Sequence, residues 1–94
     1  MVDLAKRTWP EARALFGQRT VAILPIGSTE PHGPHLGLGT DVVISAAACV
    51  KACELFEKKG PLTALIAPAI PYGVTDCATG FAGAEPPRFW IPRF

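Results

Sequence analysis

The feature that most constrains this chain is the stretch Thr20-Val21-Ala22-Ile23-Leu24-Pro25-Ile26. It is apolar, rich in β-branched residues, and does not alternate polar with apolar positions. A strand with one wet face alternates, whereas a strand of a parallel sheet covered on both faces reads as a continuous apolar run. The stretch therefore predicts a strand buried on both faces. Gly27 to Thr40 follows, with glycines at 27, 33, 37 and 39 and prolines at 31 and 34, a composition that no regular element tolerates. Asp41 to Lys59 lacks both residue types and reads as a helix. Thr40 or Asp41 is placed to cap its start, Lys58 and Lys59 suit its C-terminal dipole, and Gly60 ends it. Thr63-Ala64-Leu65-Ile66-Ala67 is a second short buried strand, closed by Pro68 and Pro71. Strand, loop, helix, strand is a βαβ unit, so the fold class is α/β with parallel strands.

Upstream, Thr8-Trp9-Pro10-Glu11 has the form of a capping box with Pro in the first helical turn. It predicts a short helix to about Phe16, with Gly17 placed to stop it.

The topology predicts where chemistry sits. In open parallel α/β sheets the ligand crevice lies beyond the carboxyl ends of the strands. The segments Gly27–Asp41 and Ile70–Gly83 both leave from such ends and are expected to face one crevice. The first holds both histidines of the chain, His32 and His35. Residues two apart in extended backbone project to the same side, so Glu30 and His32 can aim a carboxylate and an imidazole at one point. Asp41 stands where the chain turns into the helix, and the glycines let the loop fold back to it. Carboxylate and imidazole donors suit zinc, manganese or a similar divalent ion. Taken alone, each residue has a second reading: Asp41 as helix N-cap, Glu30 as a solvated carboxylate, His32 or His35 as a loop histidine bonded to backbone. A phosphate cradle is disfavoured, since neither G-x-G-x-x-G nor G-x-x-x-x-G-K-[ST] is present.

Val21 through Leu36, with Gly27-Ser28-Thr29-Glu30-Pro31-His32-Gly33-Pro34-His35-Leu36 at its centre and Thr40-Asp41 after a short gap, resembles the signature of the creatininase family. In that family an apolar strand leads into Gly-Ser-x-Glu-Gln-His-Gly-Pro-His-Leu-Pro and then Thr-Asp. Pro68-Ala69-Ile70-Pro71-Tyr72-Gly73 is similar to the family's second-strand loop. The resemblance covers roughly Thr8 to Gly83. It implies a layered α/β domain that hydrolyses a cyclic or linear amide C–N bond with water activated by divalent metal, commonly zinc with manganese. It further implies metal ligands at Glu30, His32 and Asp41, with Asp41 bridging, a small-molecule amide substrate, and assembly as a homo-oligomer, often a hexamer. His35 matches the motif but is not a ligand in the family. Catalytic and substrate-binding residues are not indicated.

The departures are specific. Pro31 stands for the usual Gln and Gly37 for the usual Pro. The His expected after the Tyr-Gly loop is missing, with Cys77 near its place, and the later Asn-Gly-His motif and a further Glu have no counterpart. These points predict a partial creatininase-like domain over residues 1–83. The patternless, Pro- and aromatic-rich tail 84–94 reads as the mark of truncation or a frameshift, in a form expected to be inactive alone. The alternative is a non-catalytic small metal-binding or partner-docking protein, motivated by 49% hydrophobic against 18% charged residues in 94.

A formal net charge of +1 argues against nucleic acid and anionic membrane as partners. No apolar stretch approaches the roughly 20 residues of a membrane span. A soluble, cytoplasmic protein is expected. Cys49, Cys53 and Cys77 make an odd count that argues against a disulfide framework. Cys49 and Cys53, four apart on one helix face, have the spacing of two thiolate zinc ligands, but no further Cys or His pair completes a zinc pattern and they read as core thiols.

Overall fold

The computed structural model describes residues 2–75 together with Gly80 and Gly83. The tail 84–94 and Cys77 lie outside the described residues. The elements in order are β1 (Val2–Asp3), a 3-10 turn (Leu4–Lys6), α1 (Trp9–Leu15), β2 (Thr20–Ile23), α2 (Thr40–Lys59) and β3 (Thr63–Ile66). By backbone contacts the chain divides into two compact units. The first is Met1–Pro25 with Ala47–Pro68, and the second is Ile26–Ala46 with Ala69–Phe94.

The first unit holds a three-stranded sheet of order β1-β3-β2, in which both pairings are parallel. Val2 and Asp3 pair with Leu65 and Ile66, while Thr20 through Ile23 pair with Thr63 through Ile66. β3 is central, and its Ala64 and Leu65 are fully buried, as is Cys53 of α2. Burial of a side chain such as Leu65 stabilises a fold by about 1.5–3 kcal/mol. Hydrogen bonds from Thr63 N–H to Arg19 O and from Ala67 N–H to Ile23 O continue the ladder beyond both ends of the β2–β3 pair.

Here the structure corrects one expectation. Among the described residues β2 is an edge strand, and its residues are half-buried or, at Ala22, exposed. An edge strand has a neighbour on one side alone, so an apolar run does not guarantee burial on both faces. The regular strand also ends at Ile23, and Ile26 makes only an isolated parallel bridge to Ile70.

α1 forms where the capping box predicts it. The Glu11 carboxylate accepts from the Thr8 N–H at 2.7 Å and from the Thr8 hydroxyl at 3.0 Å. Those two bonds hold the Glu11 carboxyl below its usual range, the backbone bond contributing most. The helix ends because Phe16 turns extended, at φ −71° and ψ 128°. The Thr20 hydroxyl donates to Leu15 O at 2.7 Å and ties the end of α1 to the start of β2.

α2 runs to Lys59 as expected, but its first intrahelical acceptor is the Gly39 carbonyl, which takes the Val43 N–H at 3.1 Å. Neither Thr40 nor Asp41 is therefore the N-cap. Cys53 is buried and Cys49 half-buried, so one of the two thiols occupies the core. Among the described residues, no helix is long and apolar enough to cross a membrane.

Candidate metal centre

The second unit is built around the chain leaving β2. From Ile26 to Glu30 its successive N–H groups point alternately to two sides, as in a strand. On one side Gly27 donates to Ile70 O at 3.0 Å and Thr29 to Pro71 O at 2.8 Å. On the other, Ile26 donates to Ser45 Oγ at 3.1 Å, Ser28 to Asp41 Oδ2 at 2.8 Å, and Glu30 to Leu38 O at 3.0 Å. The two segments expected to share a crevice thus run side by side through Pro71.

Two of those acceptors belong to α2. Asp41 and Ser45 lie four residues apart on one face of the helix, a rise of about 6 Å. Ile26 and Ser28 lie two apart in extended chain, about 6.6–6.8 Å. The repeats nearly coincide, so one helix face serves alternate amides as a neighbouring strand would.

The approach that permits this is close. A methyl group at Gly27 would stand 2.7 Å from Val42 N and 2.8 Å from the Asp41 carbonyl carbon, so glycine is required there. Gly33, at φ +80°, turns the loop in a conformation that L side chains avoid.

Within this unit Glu30, His32 and Asp41, all half-buried, each present one donor atom, and the three atoms lie within 4.8 Å of one another. Asp41 arrives from the first turn of α2, with one carboxylate oxygen held by Ser28 N–H. The His32 Nδ1 lies 3.2 Å from the Glu30 carbonyl oxygen. A carbonyl only accepts, so Nδ1 bears the proton in the neutral ring and Nε2 keeps its lone pair. That is how a metal-binding histidine is commonly prepared, with its other nitrogen donating to a carbonyl. Two carboxylates stand in the cluster, and among the described residues no cation pairs with them. The ion pairs Lys6–Asp3 and Lys51–Glu54 lie elsewhere. Two oxygens and one nitrogen, carrying two negative charges, suit a divalent cation.

His35 is exposed and outside the cluster. Sequence reasoning missed Ser28 and Ser45 as the partners that register the loop. The one available signal was a lone hydroxyl, Ser45, inside the apolar stretch Val42–Val50. It also missed Gly73, where an added methyl would run into the Ser28 hydroxyl.

Comparison with known proteins gives one consistent answer. The family described as creatininase, creatinine amidohydrolase, matches residues 5–85. A mycofactocin precursor peptide peptidase of Mycolicibacterium smegmatis is 39% identical over 72 residues, covering 77% of this chain and 29% of that protein. A creatinine amidohydrolase of Pseudomonas putida is 34% identical over 74 residues, covering 77% of this chain and 26% of that protein. The fold is similar to that of a solved tryptophan-to-alanine mutant of creatininase. The TM-score is 0.76 at 27% identity, over 90% of this chain and 33% of that one. The chain spans 26–29% of the length of the curated relatives it matches.

Proposed function

We propose, from the premise that this chain belongs to the creatininase family, that Glu30, His32 and Asp41 bind a divalent metal, zinc or manganese, in the service of amide hydrolysis. The observation that carries this reading is the three-residue donor set, whose atoms lie within 4.8 Å of one another. A divalent ion in such a site supplies Lewis acidity, the means by which water is made nucleophilic towards an amide carbonyl. The chain's own residues do the holding. Glu30 and Asp41 offset the charge of the cation, Ser28 N–H restrains Asp41, and the Glu30 carbonyl fixes the proton of His32 on Nδ1.

The relatives are named for a precursor peptide and for creatinine, a cyclic amide. The proposed substrate class is therefore an amide, cyclic or linear, and the activity is proposed for the family fold as a whole. A second reading, a non-catalytic metal-binding or partner-docking protein, draws on apolar residues of α2 that stay exposed, Val43 at 68% and Ile44 at 60%.

The test is calorimetric titration of the 94-residue chain with zinc and with manganese, alongside Asp41→Ala. Hydrolysis of creatinine and of a short peptide is followed on the metal-loaded chain. Metal binding that the variant loses supports the metal site. The first reading expects it with little or no hydrolysis by this chain alone, and hydrolysis by the metal-loaded chain overturns that expectation of inactivity. Absence of binding to the wild-type chain rejects the metal site.

A further inference from the structure

Resting on the metal-binding reading above, we propose that Thr29 is a positioning residue that aims Glu30 and His32 at the ion. Thr29 spends both of its donors on a single acceptor: its N–H reaches Pro71 O at 2.8 Å and its hydroxyl reaches the same oxygen at 2.7 Å. A single backbone hydrogen bond leaves the peptide free to swing about the N···O axis. The second bond closes a ring through Cα, Cβ and Oγ1, which fixes the Thr29 side-chain torsion and with it the local backbone. Threonine suits the task because a β-branched side chain has few rotamers to lose.

The next residue completes the clamp, since Glu30 N–H is held from the other side by Leu38 O at 3.0 Å. In chain that alternates sides, the Thr29 side chain leaves opposite to that of Glu30. One face grips the neighbouring segment at Pro71, and the other presents donor atoms. Glu30 and His32 take their directions from this stretch of backbone, so the Thr29 hydroxyl acts on the metal without touching it.

The experiment compares wild type, Thr29→Val and Thr29→Ser by titration with zinc and with cobalt(II), whose visible absorption reports coordination geometry. Valine keeps the branched shape and the backbone N–H and loses only the hydroxyl, while serine restores it. The expected result is zinc affinity weakened about tenfold in Thr29→Val, the size of effect seen when the support of a metal ligand is removed. An altered cobalt spectrum in that variant and near-wild-type behaviour of Thr29→Ser are also expected. Wild-type affinity and spectrum in Thr29→Val overturn the proposal while leaving the metal site intact, and equal weakening in both variants overturns it as well. Failure of the wild-type chain to bind either ion rejects the metal site itself. Should the valine variant lose its helical circular dichroism, Thr29→Ala replaces it in the same comparison.

Discussion

Gly27 and Asp41 meet more closely than any side chain allows, with the space for a Cβ at Gly27 lying 2.8 Å from the Asp41 carbonyl carbon. The crowding atoms are backbone and cannot rotate away. Gly27→Ala is expected to cost about 1–3 kcal/mol by forcing the two segments apart. In a domain of this size that lowers the melting temperature by roughly 4–8 °C for each kcal/mol. The same variant is expected to lose metal affinity, because the displaced segment carries Asp41. Differential scanning calorimetry with and without zinc measures both effects.

Ser45 is expected to matter more than its place in an apolar helix indicates. Ser45→Ala removes the acceptor of the Ile26 N–H and is expected to destabilise the chain by about 0.5–1.5 kcal/mol, the usual net value of such a bond. Amide exchange at Ile26 is expected to accelerate. Unchanged protection at Ile26 would show that this bond contributes nothing.

Gly73 and Ser28 are expected to be coupled. A methyl at Gly73 collides with the Ser28 hydroxyl but stands 3.6 Å from Ser28 Cβ, an ordinary contact. Gly73→Ala is therefore expected to be destabilising in the wild-type background and much less so beside Ser28→Ala. A double-mutant cycle in urea is expected to return a coupling of about 0.5–3 kcal/mol.

The first helix is expected to weaken in acid. Glu11 has its carboxyl held below the ordinary value of 4.5 by hydrogen bonds from Thr8. A depressed carboxylate stabilises the folded state above its unfolded value, and that contribution disappears as pH falls through the lower, native value. The protection factor of the Thr8 amide, taken relative to the intrinsic exchange rate at each pH, is expected to fall in wild type from pH 5 downward. In Glu11→Gln, whose uncharged amide oxygen can still accept from the Thr8 N–H, it is expected to be flat across the same range.

The two helical thiols are expected to differ in reactivity. Cys53 is buried, and burial followed by the nearby Glu57 charge pushes its thiol up, which depletes the reactive thiolate. Cys49 is half-buried. Iodoacetamide labelling of the native chain, read by peptide mass mapping, is expected to modify Cys49 well before Cys53. Faster labelling at Cys53 would contradict its place in the core.

The order of elements was legible because each leaves a pattern several residues long. Thr20–Ile26 is an unbroken apolar run, and Asp41–Lys59 lacks Gly and Pro altogether. Glu30, His32 and Asp41 stood out as donor types between a strand's carboxyl end and the start of a helix, each with a second reading, and the family resemblance alone joined them into one set. β1 was not legible, because two residues carry no periodicity. The exposure of β2 was not either, since burial depends on which strand is central, a property of the assembled sheet. Nor could spacing alone show that Asp41 accepts from Ser28, 13 residues earlier. A single side chain serving a single amide leaves no repeat to read.

The match between alternate amides and a helical turn has a consequence for how this segment tolerates change. Glu30 and His32 are anchored through residues 26–30, and Asp41 through its own helix, so the distance between them is set at both ends. The span from Gly33 to Gly37 is slack between two fixed marks. Doubling such a loop adds only about 0.6 kcal/mol of closure cost, so inserted residues there are expected to leave the donors where they are. A single insertion between Ile26 and Ser28, or between Asp41 and Ser45, shifts one scale of the ruler against the other and disperses them.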